Sequence, residues 1–405
     1  MISVFLYFSG RAMDDIEEEV KEVLQTGGPA EAPPKIKTYL DQQNNIQVNI
    51  GITGESGSGK STFVNAFRGL ADGVEGAAPT GVVETTSEVT PYPHPHHQNV
   101  VLWDLPGIGT PKFPADKYLE LVEFKTFDFF IIISATRFRE NDVKLAEEIQ
   151  RMGKKFYFVR SKIDHDLRDE ERRQRSAFNE EKTLNKIREN CIQGVKSQQV
   201  FLVSCVDLHL YDFHLLEETL RKELPAHQRD ALLLALPNVS LGIISQKKKA
   251  LQSKVKWHAL LSAGIAAVPL PGLSFVADIT ILVGVLIHYQ VTFGLDSSSL
   301  ENLARSAGVP LNDLKAVVTS PFAGNKINKE LVIKLLTSTM VGAALMAAEE
   351  GFRLIPFLGI PAAIGLSFAS TSSALNIFLT MMAEDAQNIF IKALRLDTPV
   401  CVILF

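Results

Sequence analysis

Residues 54–61 read Gly-Glu-Ser-Gly-Ser-Gly-Lys-Ser, and that spacing suits one piece of chemistry, the cradling of a polyphosphate. Gly54 and Gly59 let the backbone wrap closely round an anion with its N–H groups turned inward. Glu55, Ser56, Gly57 and Ser58 complete the loop. A helix expected to open near Lys60, and to carry Thr62, adds the positive end of its dipole. The Lys60 ammonium is placed to reach the β- and γ-phosphates, and the Ser61 hydroxyl to ligate Mg2+.

Three further constellations follow in chain order. Asp104-Leu105-Pro106-Gly107 stands about 45 residues on; Asp104 would hold the magnesium, usually through water, and the Gly107 N–H would sense the γ-phosphate. Asp-x-x-Gly alone is a common turn, and its position after the phosphate loop makes it specific. Ser161-Lys162-Ile163-Asp164 would read the base. The Asp164 carboxylate can accept from guanine N1 and the exocyclic amine while the Lys162 stem packs along the ring, and a site built on such bonds rejects adenine. Ser161 stands where many such proteins have Asn, which predicts a weaker brace between loops. Ser204-Cys205 is the weakest motif, accepted from its order and position, where a backbone N–H would meet the guanine oxygen. Between the phosphate loop and Asp104, residues 76–86 supply threonines; Thr80 and Thr86 are both candidates to reach the metal and the γ-phosphate. The expected ligands are therefore GTP or GDP with Mg2+. Ile108 follows Gly107 where small GTPases have Gln, so intrinsic hydrolysis should be slow unless another group, naturally a partner's, is supplied.

The elements that must position these residues alternate between strand and helix. Apolar runs at 48–53, 100–103, 129–134, 156–160 and 200–203 read as buried strands, with helices in the gaps such as 141–152 and 180–191. Continuous apolar strands between helices mean an α/β domain with a mostly parallel sheet covered on both faces. Around Leu224-Pro225 the pattern becomes helical throughout. The sequence thus divides into an N-terminal helical segment (1–45), a P-loop α/β domain (46–224) and an all-helical C-terminal domain (225–405).

Net charge over 405 residues is −5, which gives no basic field for nucleic acid. Cys191, Cys205 and Cys401 are far apart, which argues against a disulfide scaffold or zinc site and fits a reducing cytosol. The start, with Met13 as an alternative to Met1, has no secretory pattern. Ile2 excludes N-myristoylation as written, and Cys401 forms no prenylation box.

The chain resembles the immunity-related GTPase (IRG) family of interferon-inducible proteins. The resemblance rests on GESGSGKSTFVNAFRGL (54–70), GAAPTGVVETT (76–86), YPHPHHQNVVLWDLPGIGT (92–110), FDFFIIISATRF (127–138), FYFVRSKID (156–164) and the junction ELPAHQR (223–229). It is dense in the P-loop domain and only in outline beyond it. It implies a dynamin-like GTPase of the Gly-Lys-Ser class, with a Ras-like P-loop domain and a helical domain that the N-terminal helices join, that dimerises across its nucleotide face and oligomerises with GTP. It further implies a cytoplasmic protein associating peripherally with intracellular membranes (vacuole, endoplasmic reticulum or Golgi) in innate defence. In related proteins a switch-I glutamate and the arginine of SATRF act at that interface; here these match Glu84 and Arg137. Ile2 departs from the family's lipidated glycine, and Cys205 from its usual Asn.

Membrane lipids are expected partners because residues 259–277 and 354–383 carry no charge and are broken by proline, and Lys247, Lys248, Lys249, Lys254 and Lys256 precede the first run. Helices buried on every side would be equally apolar. Two functions from different classes therefore stand. One is a GTP-hydrolysing protein that self-assembles on membranes; the other is a GTP-gated regulatory module with negligible hydrolysis. An ATPase is disfavoured by Asp164.

Overall fold

The computed structural model describes residues 32–81, 86, 88–108, 118–195, 199–266, 273–336 and 362–395. The chain forms two compact units, one of Gln47–Leu224 with Ala235–Val239, the other of Met1–Ile46, Pro225–Leu234 and Ser240–Phe405. Helix α1 (Ala32–Asn44) belongs to the second. In the first, strands β1 (Val48–Gly54), β2 (Thr90–Pro93), β3 (Val100–Asp104), β4 (Phe129–Ser134), β5 (Lys155–Arg160) and β6 (Val200–Leu202) are interleaved with helices. These are α2 (Lys60–Phe67), α3 (Tyr118–Leu121), α4 (Glu140–Arg151), α5 (Ile163–Gln174), α6 (Glu180–Val195) and α7 (Phe213–Glu223).

The sheet order is β2-β3-β1-β4-β5-β6. Every neighbouring pair is parallel except β2 with β3. All six residues of β4 are buried, as a central strand covered on both faces requires. One covering layer packs Phe130 and Ile132 of β4 against Leu145 and Ile149 of α4 and Cys191 and Val195 of α6. The register pairs Ile52 with Asp104, Gly54 with Ile133, and Ser134 with Arg160. The carboxyl ends of β1, β3, β4 and β5 therefore reach one edge of the sheet together, which is where open α/β sheets bind ligands.

The sequence reading missed β2. It holds Pro91 and Pro93 within four residues, and proline cannot donate to a ladder. An edge position, antiparallel to β3, is the place a sheet tolerates it. The remaining boundaries differ modestly: α4 begins at Glu140 because the Asp142 carboxylate accepts from the Arg139 N–H at 2.9 Å, and α6 continues to Val195.

The second unit holds α1, α8 (Ala226–Ala235), α9 (Leu241–Ala266), α10 (Leu273–Thr292), α11 (Ser297–Ala307), α12 (Leu311–Lys315) and α13 (Ala362–Ala393). Its core brings Leu251 and Val255 of α9, Leu286 and Tyr289 of α10, and Leu375, Phe378 and Met382 of α13 together. Helix α1 packs on α9 through Ile36, Leu40 and Leu261, with Tyr39 5.0 Å from the Trp257 ring. On α13, the buried Asp385 carboxylate gathers the N–H and hydroxyl groups of Thr319 and Ser320, pinning that turn.

Of the basic run at 247–256, Lys247 turns inward. Lys247 is 2% exposed, and its ammonium donates to the Thr292 carbonyl at 2.8 Å, neutralising the carboxyl end of α10. Lys254 donates to Asn44, and Lys256 lies over the Trp257 ring. Lys248 is half-buried and Lys249 exposed, so the run is divided between the interior and the surface. Among the described residues one stretch, Ile279–Ala307, is long and apolar enough to cross a membrane, and half of its most apolar window is buried. The proline-containing parts of the uncharged runs, residues 267–272 and 354–361, lie outside the described residues.

Candidate functional site

The loop at 54–61 leaves β1 and enters α2, with strand, turn and helix in the order its spacing demanded. Gly54 has φ +138°, and a Cβ there would stand 2.1 Å from the Ile133 carbonyl oxygen of β4, so a side chain cannot be accommodated. The buried Lys60 donates to the Glu55 carbonyl at 3.0 Å, its ammonium arched across the loop. Ser58 is buried, Thr62 is half-buried on α2, and Ser56 and Gly57 are exposed at the tip.

Three groups separated by up to 43 residues converge behind Lys60. The Ser61 hydroxyl donates to Asp104 Oδ2 at 2.5 Å, the Thr86 hydroxyl donates to the same oxygen at 2.9 Å, and the two hydroxyls are 3.3 Å apart. Asp104 is 1% exposed, and its second oxygen, Oδ1, is buried with no hydrogen-bond partner. Burial pushes the Asp104 carboxyl above the ordinary range, while Ser61, the Lys60 ammonium and Thr86 pull it back. A carboxylate with a bare oxygen beside two hydroxyls is a donor set that fits a hard divalent cation. Of the two threonine candidates, the structure brings Thr86 to this cluster; Thr80, half-buried, makes no hydrogen bond to Ser61 or Asp104.

Gly107 lies against the phosphate loop: a Cβ there would meet the Ser56 backbone nitrogen at 3.0 Å. The Ile108 N–H donates to the Gly54 carbonyl at 3.4 Å. The buried Ser161 hydroxyl reaches the Ser58 carbonyl at 2.6 Å, and Lys162 donates to the Gly57 carbonyl at 2.9 Å. These two bonds are the brace between the base-reading loop and the phosphate loop, made by the Ser161 hydroxyl and the Lys162 ammonium. Asp164 opens α5, with its Oδ2 accepting from Arg168 at 2.7 Å. Ser204 is buried and accepts from the Asp207 N–H. Burial, then the nearby Asp164 and Asp72 carboxylates, push the Cys205 thiol up to about 12, so it stays protonated.

Arg137 is exposed on the loop between β4 and α4, its carbonyl accepting from Ser134 Oγ at 3.3 Å, and it is not joined to the cluster. Glu84 lies outside the described residues. Two residues that sequence reasoning overlooked touch the site. Arg139, two past Arg137, pairs with the Glu55 carboxylate at 3.2 Å. Tyr118 hydrogen-bonds both Thr53 and Pro106. Neither falls in a motif with a fixed spacing, so no periodicity pointed to them.

The family model for Interferon-inducible GTPase (IIGP) matches residues 13–393 of this chain. The chain belongs to the interferon-inducible GTPase family. Interferon-inducible GTPase 5 of Bos taurus is 43% identical to it over 385 residues, covering 93% of this chain and 82% of that protein. The T-cell-specific guanine nucleotide triphosphate-binding protein 2 of Mus musculus is 42% identical over 364 residues, covering 87% and 83%. Interferon-inducible GTPase 1 of Mus musculus is 38% identical over 309 residues, covering 75% and 74%. As a member of this family the chain is a GTP hydrolase, and guanine nucleotide is its ligand.

Proposed function

We propose that this GTPase hydrolyses GTP with Mg2+ held at Ser61, Thr86 and Asp104, and that it self-assembles to do so. The observation carrying the reading is the meeting of two hydroxyls on one buried carboxylate whose Oδ1 has no hydrogen-bond partner. Magnesium, when bound there, supplies positive charge to the β- and γ-oxygens. The chain's own groups do the rest. The amides of residues 55–61 and the Lys60 ammonium grip the phosphates, the Gly107 N–H contacts the γ-phosphate, and Asp164 with Lys162 reads the guanine, the Ser204–Cys205 backbone completing that pocket. Thr86 takes the switch-I role in preference to Thr80.

Ile108 offers no hydrogen-bonding side chain to orient an attacking water, and Arg137 is exposed and uncommitted to the cluster. A second copy of the chain, meeting this one across the nucleotide face, is therefore proposed as the source of the missing catalytic help, with Arg137 and Glu84 at that contact. Specific hydrolytic activity is expected to climb with protein concentration over the micromolar range. A flat, near-zero turnover would instead favour the regulatory module.

Peripheral action on intracellular membranes in innate defence is proposed on the uncharged runs and on the lysines of 247–256 that stay at the surface beside them, Lys249 among them. Vesicles of anionic phospholipid should carry the protein upward in a flotation gradient when a non-hydrolysable GTP analogue is present. Equal recovery at the bottom with and without the analogue would end that part of the proposal.

A further inference from the structure

Tyr118 opens α3 and is wholly buried, in a layer with Leu105, Ile108, Val122, Phe127 and Phe130. Its hydroxyl has no reason to be there for packing alone, because a phenylalanine would fill the same space. It lies 2.7 Å from Thr53 Oγ1 and 2.8 Å from the Pro106 carbonyl oxygen. The carbonyl can only accept, so the phenol donates to it and accepts from Thr53. The hydroxyls form a directed chain, Thr53 to Tyr118 to Pro106. Thr53 is the last residue of β1 before Gly54, and Pro106 immediately precedes Gly107. The chain thus fastens the root of the phosphate loop to the turn that carries the phosphate-sensing amide.

Two backbone hydrogen bonds run beside it, Leu105 N–H to the Ile52 carbonyl at 3.0 Å and Ile108 N–H to the Gly54 carbonyl at 3.4 Å. With Gly107 already against the Ser56 nitrogen, a shift of a few tenths of an ångström in this turn moves its amide relative to the loop. Burial pushes the Tyr118 hydroxyl far above its ordinary range, so it remains a neutral donor at any working pH.

We propose that Tyr118 is a positioning residue for hydrolysis: its hydroxyl, bridging Thr53 and Pro106, sets where the Gly107 amide stands against the γ-phosphate. This rests on the reading of Gly107 as the γ-phosphate contact. GDP, which lacks that phosphate, should be indifferent to the bridge.

The test is Tyr118→Phe in the full chain, which keeps the ring and removes the hydroxyl. We expect kcat at saturating GTP to fall about tenfold, the effect of one misaligned hydrogen bond. GDP affinity should change less than about twofold, because GDP has no γ-phosphate for that amide to contact. Thr53→Val removes the first donor of the chain and serves equally if Tyr118→Phe does not fold. The double variant should be no slower than the slower single one, because both act through one bridge. A wild-type kcat in Tyr118→Phe, equal losses of GDP and GTP affinity, or strictly multiplicative effects in the double variant would each overturn the proposal. Failure of the underlying reading looks different: Tyr118→Phe would lower kcat as expected, but GDP and a GTP analogue would bind the wild-type protein without the analogue protecting the Gly107 amide from hydrogen exchange.

Discussion

Asp164→Asn is expected to lower GTP affinity by about 10²- to 10⁴-fold and to raise affinity for xanthosine triphosphate. Two hydrogen bonds from guanine to a charged acceptor contribute about 1.5–3 kcal/mol each, which sets that range. An amide in place of the carboxylate turns an NH2 toward the base, where guanine offers only donors and xanthine offers an oxygen. The fold should hardly notice. Asp164 lies in the first turn of α5 and is 18% exposed, but its i,i+4 partner Arg168 is 58% exposed, so the lost pair is worth about 0.3–0.5 kcal/mol. Competition binding with both triphosphates checks this. An unchanged preference for guanine would place the base pocket elsewhere.

Lys60→Met should reduce kcat by about 10²- to 10³-fold, the usual consequence of removing one preorganised positive group from a developing anion. The same change is expected to leave stability within about 1.5 kcal/mol, because methionine has similar volume. Replacing a buried ammonium whose shown partner is the Glu55 carbonyl by an apolar chain also relieves desolvation. The discriminating pattern is a lost rate with a retained melting curve. A variant that hydrolyses GTP at the wild-type rate would remove Lys60 from the chemistry.

The parts of this molecule that could be read in its residues are those governed by strong local rules. The run Phe129–Ser134 is apolar without alternation, and it is the central strand. Gly54 and Gly59 punctuate a strand-to-helix turn, and the turn is there. The convergence of Ser61 with Asp104 was expected from the order of their motifs, since parallel strands carry their carboxyl ends to one edge. What stayed hidden depends on tertiary placement. Two prolines disguised β2, since an edge position has no sequence signature of its own. Lys247 read as one of a basic run because a charge run says nothing of which member turns inward; its bond to the Thr292 carbonyl at the carboxyl end of α10 offsets its burial. Tyr118 and Arg139 were invisible for the same reason, as each acts through a contact with a loop more than 60 residues away. That Thr86 rather than Thr80 meets Ser61 and Asp104 depends on tertiary placement, which no spacing fixed.

Isothermal titration of the purified full-length protein with GDP and with a non-hydrolysable GTP analogue, in magnesium and again in excess chelator, bears most directly on the central claim. The account predicts saturable heat for both nucleotides at one site per chain, with the analogue markedly weaker once the metal is withdrawn, because Asp104 then faces the γ-phosphate uncompensated. A folded sample that gives no binding heat with either nucleotide, or one that binds the analogue equally well with and without magnesium, would contradict it.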